Sequence, residues 1–252
     1  MSAREVLLRG RDITRRWGGV VAVNAVSIEL ARGEVHAVIG TNGAGKSTLV
    51  NVLSGEIPAS AGTVELLGAD VTRWPQPRRA RAGLGRSYQR TTIFPSFTVL
   101  ENCRLAAQAR FQAPWRWWSD ASRCASCLEA ARGATSLAGL DGVLEREAGT
   151  LSHGEKRQLE IAMCLATGPQ VLLLDEPLAG MGAAESERML ELVGSLRAGH
   201  AILLVEHDMD AVFRSADRIT VMVDGEVIAS GEPAAVRANP QVRSAYLGGS
   251  AA

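Results

Sequence analysis

The sequence predicts an α/β fold with a mainly parallel core sheet, an antiparallel β portion and a block of helices set into the chain. Apolar segments at 26–30, 35–40, 171–174, 201–205 and 219–223 read as strands, with helical patterns at 45–53, 155–165 and 184–196 between them. Strands that alternate with helices pair side by side only through crossovers, so the core pairing is parallel. Asp224-Gly225, set between Val221-Met222-Val223 and Glu226-Val227-Ile228, is a hairpin turn and adds antiparallel pairing. From 97 to 167 the pattern is almost wholly helical, with pieces at 99–111, 121–137 and 155–165, which reads as a helical insert. The chain carries no internal repeat, no low-complexity tract and one candidate phosphate loop.

Composition narrows the classes. The 252 residues hold 27 Lys plus Arg and 27 Asp plus Glu, a net charge of +0, so the basic surplus that a nucleic-acid track needs is absent and no nucleic-acid partner is expected. A hydrophobic fraction of 46% with 21% charged residues belongs to a folded globular chain. No apolar run approaches the roughly 18–20 residues of a membrane-spanning helix. Arg4, Glu5, Arg9 and Arg11 precede no apolar stretch of the signal-peptide kind, so the expectation is a cytosolic protein. Cys103, Cys124, Cys127 and Cys164 are too few for a disulfide framework and are expected to be reduced thiols. Only two cations are lysines, Lys46 and Lys156, against 25 arginines. A lysine kept in such a chain points to a position where a compact point charge is wanted.

The strand 35–39 runs into Gly40-Thr41-Asn42-Gly43-Ala44-Gly45-Lys46-Ser47-Thr48 and then into an apolar helix. This is G-x-x-x-x-G-K-[ST] in its strand, loop and helix setting. The glycines let backbone N–H groups converge on phosphate oxygens, and the helix N-terminus adds its positive dipole end. Lys46 reaches the β- and γ-phosphates, and the Ser47 hydroxyl is a ligand for Mg²⁺.

The strand 171–174 ends in Asp175-Glu176-Pro177, which puts two carboxylates at the carboxyl edge of the sheet beside the phosphate loop. In that setting Asp175 holds Mg²⁺ and Glu176 orients the attacking water. Between the two elements, Leu151-Ser152-His153-Gly154-Glu155 opens a helix. Ser152 with Glu155 forms a capping box, and Ser and Gly at a helix start also make an anion site.

Phosphate loop, Leu-Ser-x-Gly helix start and Asp-Glu strand, in that order, resemble the nucleotide-binding subunit of ATP-binding-cassette (ABC) transporters over essentially the whole chain. The resemblance implies a P-loop NTPase fold of the ABC type. One domain, 1–252, then comprises an ATP-binding α/β core at 1–90 and 168–252 and a helical subdomain at 91–167. Trp17, 29 residues before Lys46, matches the aromatic that stacks on adenine. Gln89, in Ser87-Tyr88-Gln89-Arg90, is similar to the Q-loop glutamine that senses Mg²⁺ and the attacking water and faces the membrane partner. His207, in Val205-Glu206-His207-Asp208, is similar to the switch histidine of the γ-phosphate. The signature residues Ser152, His153, Gly154 and Glu155 would complete the ATP site of a second subunit, in trans.

ATP and Mg²⁺ are the implied ligands. The implied partners are a second ATPase subunit, the same or a related chain, two transmembrane permease subunits and, indirectly, a periplasmic solute-binding protein. The implied place is the inner face of the plasma membrane. Trp17-Gly18-Gly19-Val20-Val21-Ala22-Val23, Leu159-Glu160-Ile161-Ala162, Ala179-Gly180-Met181, Glu206-His207-Asp208-Met209 and the tail from Asn239-Pro240 to Ala245-Tyr246-Leu247-Gly248 resemble the ATPases of branched-chain amino-acid importers. ATPases of urea and amide importers and of lipopolysaccharide export share much of this vocabulary, and iron–sulfur assembly ATPases fit by length. DNA-repair members carry a long coiled-coil arm, for which the 62 residues from Gln89 to Leu151 leave no room.

Two positions depart from the family pattern. The usual Leu-Ser-Gly-Gly-Gln is Leu-Ser-His-Gly-Glu, and Gly182 stands where an aspartate is usual. Elsewhere, Cys124 and Cys127 lack a second ligand pair and read as structural. His36 reads as a core or edge histidine and His200 as a residue without a partner. The stretch from Arg73 to Arg86, with Arg78, Arg79 and Arg81, reads as a solvated helix face. Trp115, Trp117 and Trp118 have two readings, a buried cap on the helical insert or an exposed patch that meets the membrane partner.

Overall fold

The first strand, β1 (Val6–Trp17), begins apolar, carries arginines further along, and folds back at Gly18-Gly19 into β2 (Val20–Ala31). The computed structural model describes residues 5–88, 92–111 and 124–247, the side chains of 246 and 247 excepted. After β2 come β3 (Glu34–Gly40), α1 (Lys46–Ser54), β4 (Ala61–Leu66), β5 (Ala69–Asp70), α2 (Gln76–Arg81) and β6 (Leu84–Arg86). Three helices follow, α3 (Val99–Phe111), α4 (Ala125–Leu137) and α5 (His153–Ala166). The chain then alternates through β7 (Val171–Asp175), α6 (Ala183–Leu196), β8 (Ala201–Val205), α7 (Met209–Ser215), β9 (Arg218–Val223) and β10 (Glu226–Gly231), before α8 (Pro233–Ala238) and α9 (Pro240–Leu247).

Two sheets result. The larger has the order β10-β9-β3-β8-β7-β6, parallel except for the antiparallel β9–β10 hairpin at Asp224-Gly225. The smaller is antiparallel, β2-β1-β4-β5. The central parallel strands are apolar throughout because both faces are covered. Val38, Leu173 and Leu203 turn toward a core shared with α1 and the antiparallel sheet. Ala37, Ile39, Leu172, Leu174, Ile202 and Leu204 turn to the opposite side, where α3, α4, α5 and α6 supply the other core. Among the described residues no helix is long and apolar enough to cross a membrane.

Three expectations need correction. In the stretch read as a solvated helix face, Arg79 is 2% exposed with backbone carbonyls as partners, and Arg86 lies in β6 with its side chain 7% exposed. Cys124 and Cys127 are joined as a disulfide, leaving Cys103 and Cys164 as free thiols. The pair sits at the N-cap and third residue of α4, so the helix turn itself brings the Cα atoms to 5.2 Å. His200 does have a partner, its Nδ1 lying 2.8 Å from the Leu196 carbonyl oxygen. His36, by contrast, is a core residue as read. Its Nδ1 lies 2.8 Å from the Glu29 carbonyl oxygen and its Nε2 2.8 Å from Thr220 Oγ1. Residues 121–123 of the helix read at 121–137, and Trp115, Trp117 and Trp118, lie outside the described residues.

Candidate functional site

Strand register gathers the site at one edge of the parallel sheet. Val38 of β3 pairs with Val205 of β8, which pairs with Asp175 of β7, so the loop after Gly40, the Asp175-Glu176 step and the Glu206-His207 step leave the sheet side by side. This is the carboxyl edge at which parallel sheets bind ligands.

The loop Gly40, Thr41, Asn42, Gly43, Ala44, Gly45 leads into α1, whose first residues are Lys46, Ser47 and Thr48. Two glycines are forced by close approach. A Cβ on Gly40 would strike the Met222 carbonyl oxygen, and one on Gly45 would strike the Ala22 carbonyl oxygen. Gly45 also has φ +95, where an L side chain is strained. The antiparallel sheet therefore touches the phosphate loop directly through β2, and the β9–β10 turn, itself packed on Ala22, bonds the loop through the Gly225 N–H to the Ala44 carbonyl at 3.2 Å.

Lys46 is buried and folds back over the loop. Its Nζ donates to the Gly40 and Thr41 carbonyls at 2.7 and 3.0 Å. An ammonium has three protons, so one donor remains for an anion inside the loop. Burial pulls the Lys46 pKa below its ordinary value, and the Glu176 and Asp175 carboxylates oppose that shift. Ser47 is exposed at the mouth of the loop.

Asp175 ends β7 and is buried. Burial lifts its pKa above the usual carboxylate range, while Arg86 and Lys46 oppose the shift. Its N–H donates to Ser87 Oγ at 3.2 Å, and its Oδ1 is buried with no hydrogen-bond partner. A buried carboxylate oxygen with no protein donor and an exposed serine hydroxyl at the start of α1 are donors that suit Mg²⁺, which binds through one or two protein oxygens and completes its shell with phosphate and water. Glu176 takes a left-handed backbone conformation, φ +51, and its N–H is tied to the Val205 carbonyl at 2.9 Å. A positive φ at a non-glycine residue is a costly conformation of the kind that functional sites retain.

His207 is exposed beside it, and the residue before it was not picked out by sequence. Glu206 is 0% exposed, and its two oxygens accept the Leu178 N–H at 2.8 Å and the His207 N–H at 3.2 Å. Burial raises its pKa, with the two backbone N–H bonds opposing. One carboxylate thus ties the loop after Glu176 to the His207 step. The only sequence signal was its position next to a candidate histidine.

Trp17, at the tip of the β1–β2 hairpin, is 50% exposed, and the Arg15 guanidinium lies 3.8 Å from its ring centroid. Gln89 lies outside the described residues, but its flanks are clamped by α5. Arg157 Nη1 donates to the Tyr88 carbonyl at 3.0 Å, the Thr92 N–H donates to Glu160 Oε1 at 3.1 Å, and Arg157 and Glu160 pair at 2.9 Å. Those buried partners were not read from the sequence either.

Ser152, His153, Gly154 and Glu155 are brought together at the start of α5 rather than at the phosphate loop. Ser152 and Glu155 form the reciprocal capping box, with bonds of 3.2 and 2.7 Å. The Ser152 N–H holds the Glu155 pKa down. His153 Nε2 lies 3.1 Å from the Ala179 carbonyl oxygen, and a Cβ on Gly154 would stand 2.9 Å from Glu185 Oε1. Gly182 precedes α6, its N–H 3.4 Å from Glu185 Oε2.

Comparison with known proteins bears on the whole chain. Residues 23–179 match the family described as "ABC transporter", and residues 226–252 that described as "Branched-chain amino acid ATP-binding cassette transporter". The chain is 39% identical over 250 residues to the "High-affinity branched-chain amino acid transport ATP-binding protein LivG" of Salmonella typhimurium, covering 96% of this chain and 98% of that protein. It is 36% identical over 254 residues to the protein of the same description, BraF, of Pseudomonas aeruginosa, with the same coverage. Its fold is similar to the crystal structure of a nucleotide-free ATP-binding cassette from an ABC transporter, with TM-score 0.85, 30% identity and coverage of 96% and 98%. A cassette solved in its ADP conformation gives TM-score 0.83 and 30% identity, covering 96% of this chain and 99% of that one.

Proposed function

The chain belongs to the ABC transporter family and has its cassette fold, and on that premise we propose that it is the ATP-hydrolysing subunit of an importer of branched-chain amino acids or related small polar solutes. The supporting observation is likeness to branched-chain transport ATPases over the full length, including the C-terminal segment 226–252.

ATP lies with its phosphates in the loop Gly40–Thr48 of this reading, drawn in by the backbone N–H groups, the α1 dipole and Lys46. Trp17 stacks on the adenine. Ser47, Asp175 and Gln89 hold Mg²⁺, which neutralises charge on the β- and γ-phosphates. Glu176 orients and polarises the attacking water, and His207 contacts the γ-phosphate. Asp175 and Glu176 share these tasks because one is buried beside cations and the other stands at the strand's end. Ser152, His153, Gly154 and Glu155 act on the nucleotide of a second cassette, the same or a related chain, so a single chain binds ATP and hydrolyses it poorly. The α/β core at 1–90 and 168–252 and the helical subdomain at 91–167 move as two parts when the sandwich closes.

Two permease subunits carry the solute, delivered by a periplasmic binding protein, and this chain docks on them from the cytoplasmic face. A groove of about 310 Å³ between α2, β6 and α5, lined by Gln76, Pro77, Tyr88, Thr92 and Met163, supports that docking place, because Tyr88 and Thr92 flank Gln89 in the sequence. Purification of the tagged chain from its host's membranes tests the proposal. Two permeases are expected with it, and loss of the chain is expected to abolish uptake of labelled leucine. Soluble scaffold partners and unaltered uptake of branched-chain amino acids would overturn it.

A further inference from the structure

β6 sends one cation into the interior. The Arg86 side chain is 7% exposed and is shared among several groups. Its Nη1 donates to Ser54 Oγ at 2.8 Å and Glu56 Oε2 at 2.5 Å, and its Nη2 donates to Asn51 Oδ1 at 2.6 Å. The same Nη2 lies 3.7 Å from Asp175 Oδ2. The first three contacts belong to the C-terminal end of the phosphate-loop helix, and the fourth is the carboxylate at the end of β7.

The other side of the same segment faces the groove. The Arg86 guanidinium lies 4.9 Å from the centroid of the Tyr88 ring, and the Tyr88 hydroxyl bonds the Gln76 side-chain amide. The Arg86 carbonyl accepts the Cys164 thiol at 3.0 Å. Arg86, Tyr88, Gln76 and Cys164 all line the groove. Its Nε is buried without a hydrogen-bond partner, so the guanidinium is not fixed by a full set of bonds. Its Nη1 is held by Glu56 at 2.5 Å, while its Nη2 stands off Asp175 at 3.7 Å. In a water-poor interior the presence and spacing of such a cation set the field at the carboxylate.

We propose that Arg86 is a positioning residue for the nucleotide site: shared between Glu56 and Asp175 and stacked on Tyr88, it sets the charge Asp175 offers to a cation and relays displacement of the groove wall to that carboxylate. The proposal rests on the reading of Asp175 as a Mg²⁺-holding residue.

Full-length chain carrying Arg86→Met, Arg86→Lys, Tyr88→Leu or Asp175→Asn is titrated with trinitrophenyl-ATP in EDTA and in graded Mg²⁺, and its ATPase rate is followed against Mg²⁺. Arg86→Met is expected to bind nucleotide in EDTA within twofold of the parent, yet to reach half-saturation at about tenfold less Mg²⁺ while kcat falls. Removal of a competing cation draws Mg²⁺ in more tightly, whereas general loss of structure would weaken both. Arg86→Lys keeps the charge and is expected to restore the Mg²⁺ midpoint to within twofold. Tyr88→Leu shifts the midpoint in the parent and not in the Arg86→Met background, the signature of a coupled pair. An unchanged or raised midpoint in Arg86→Met overturns the proposal, as does additivity with Tyr88→Leu. If Arg86→Met does not fold, an unchanged midpoint for Tyr88→Leu overturns it. A Mg²⁺ midpoint in Asp175→Asn equal to that of the parent would instead overturn the reading of Asp175.

Discussion

The guanidinium of Arg79 lies 2.7 Å from the Leu53 carbonyl oxygen and 2.8 Å from that of Val52, so a side chain from α2 closes the last turn of the helix that begins at Lys46. It also donates to the Thr72 carbonyl at 3.0 Å and the Trp74 carbonyl at 3.1 Å, and burial lowers its pKa to about 10. A cation at the negative end of the helix dipole, with four carbonyl acceptors, fixes where the phosphate-loop helix stops. Arg79→Met takes the guanidinium donor away from those carbonyls, of which that of Val52 keeps the Gly55 N–H at 3.1 Å. It is expected to cost about 3 kcal/mol of stability in urea denaturation, with an unchanged midpoint counting against the capping role.

Glu176→Gln keeps the shape of the residue and removes its charge. Turnover is expected to fall by about 10²-fold or more, while ATP-dependent dimerisation, followed by size-exclusion chromatography with light scattering, persists. Retained turnover would remove Glu176 from its proposed task.

Trp17→Ala removes the exposed ring at the tip of the β1–β2 hairpin. Stacking of a base on an aromatic ring is worth roughly 1–3 kcal/mol, so ATP affinity is expected to drop about tenfold or more, measured by nucleotide titration. Arg15→Ala, which takes away only the cation over that ring, is expected to have the smaller effect.

His36 makes the fold sensitive to acid. Burial lowers its pKa from 6.5 to about 4. The Glu29 carbonyl can only accept, so Nδ1 carries the proton and Nε2 accepts from Thr220 Oγ1, a neutral ring. Between pH 6.5 and about 4 the unfolded chain takes up a proton that the folded chain refuses. Stability is therefore full above 6.5, falls as pH drops through that window, and is level below it with respect to this residue. The whole loss amounts to about 3 kcal/mol. His36→Gln is expected to flatten this part of the curve of unfolding free energy against pH, and a parallel curve would count against it.

Legibility in the sequence followed the kind of force at work. The strands at 35–40, 171–174, 201–205 and 219–223, the helices on either side and the Asp224-Gly225 hairpin were all readable, because apolar runs and turn chemistry are local signals. β1 was not. Its burial alternates only in part, register shifts interrupt its pairing with β2, and arginines fill its outward positions. β4, β5 and β6 were missed because they are short and take their order from pairing partners distant in the chain. In the site, the loop, Asp175, Glu176 and His207 stood out by spacing. Arg79, Arg86, Arg157, Glu160 and Glu206 did not, since a charged letter gives no sign by itself of being buried. Their partners are mostly backbone atoms and residues tens of positions away, and only the fold supplies those.

Gly40 and Gly45 rest against carbonyl oxygens of Met222 and Ala22, not against the side chains of those residues. Mutational tolerance around the loop should accordingly be lopsided. Any side chain at 40 or 45 collides with main chain that cannot be trimmed by a compensating substitution, so no second-site suppressor at 22 or 222 can rescue it. Position 22, in turn, can drift in sequence without the loop registering the change, provided β2 keeps its path.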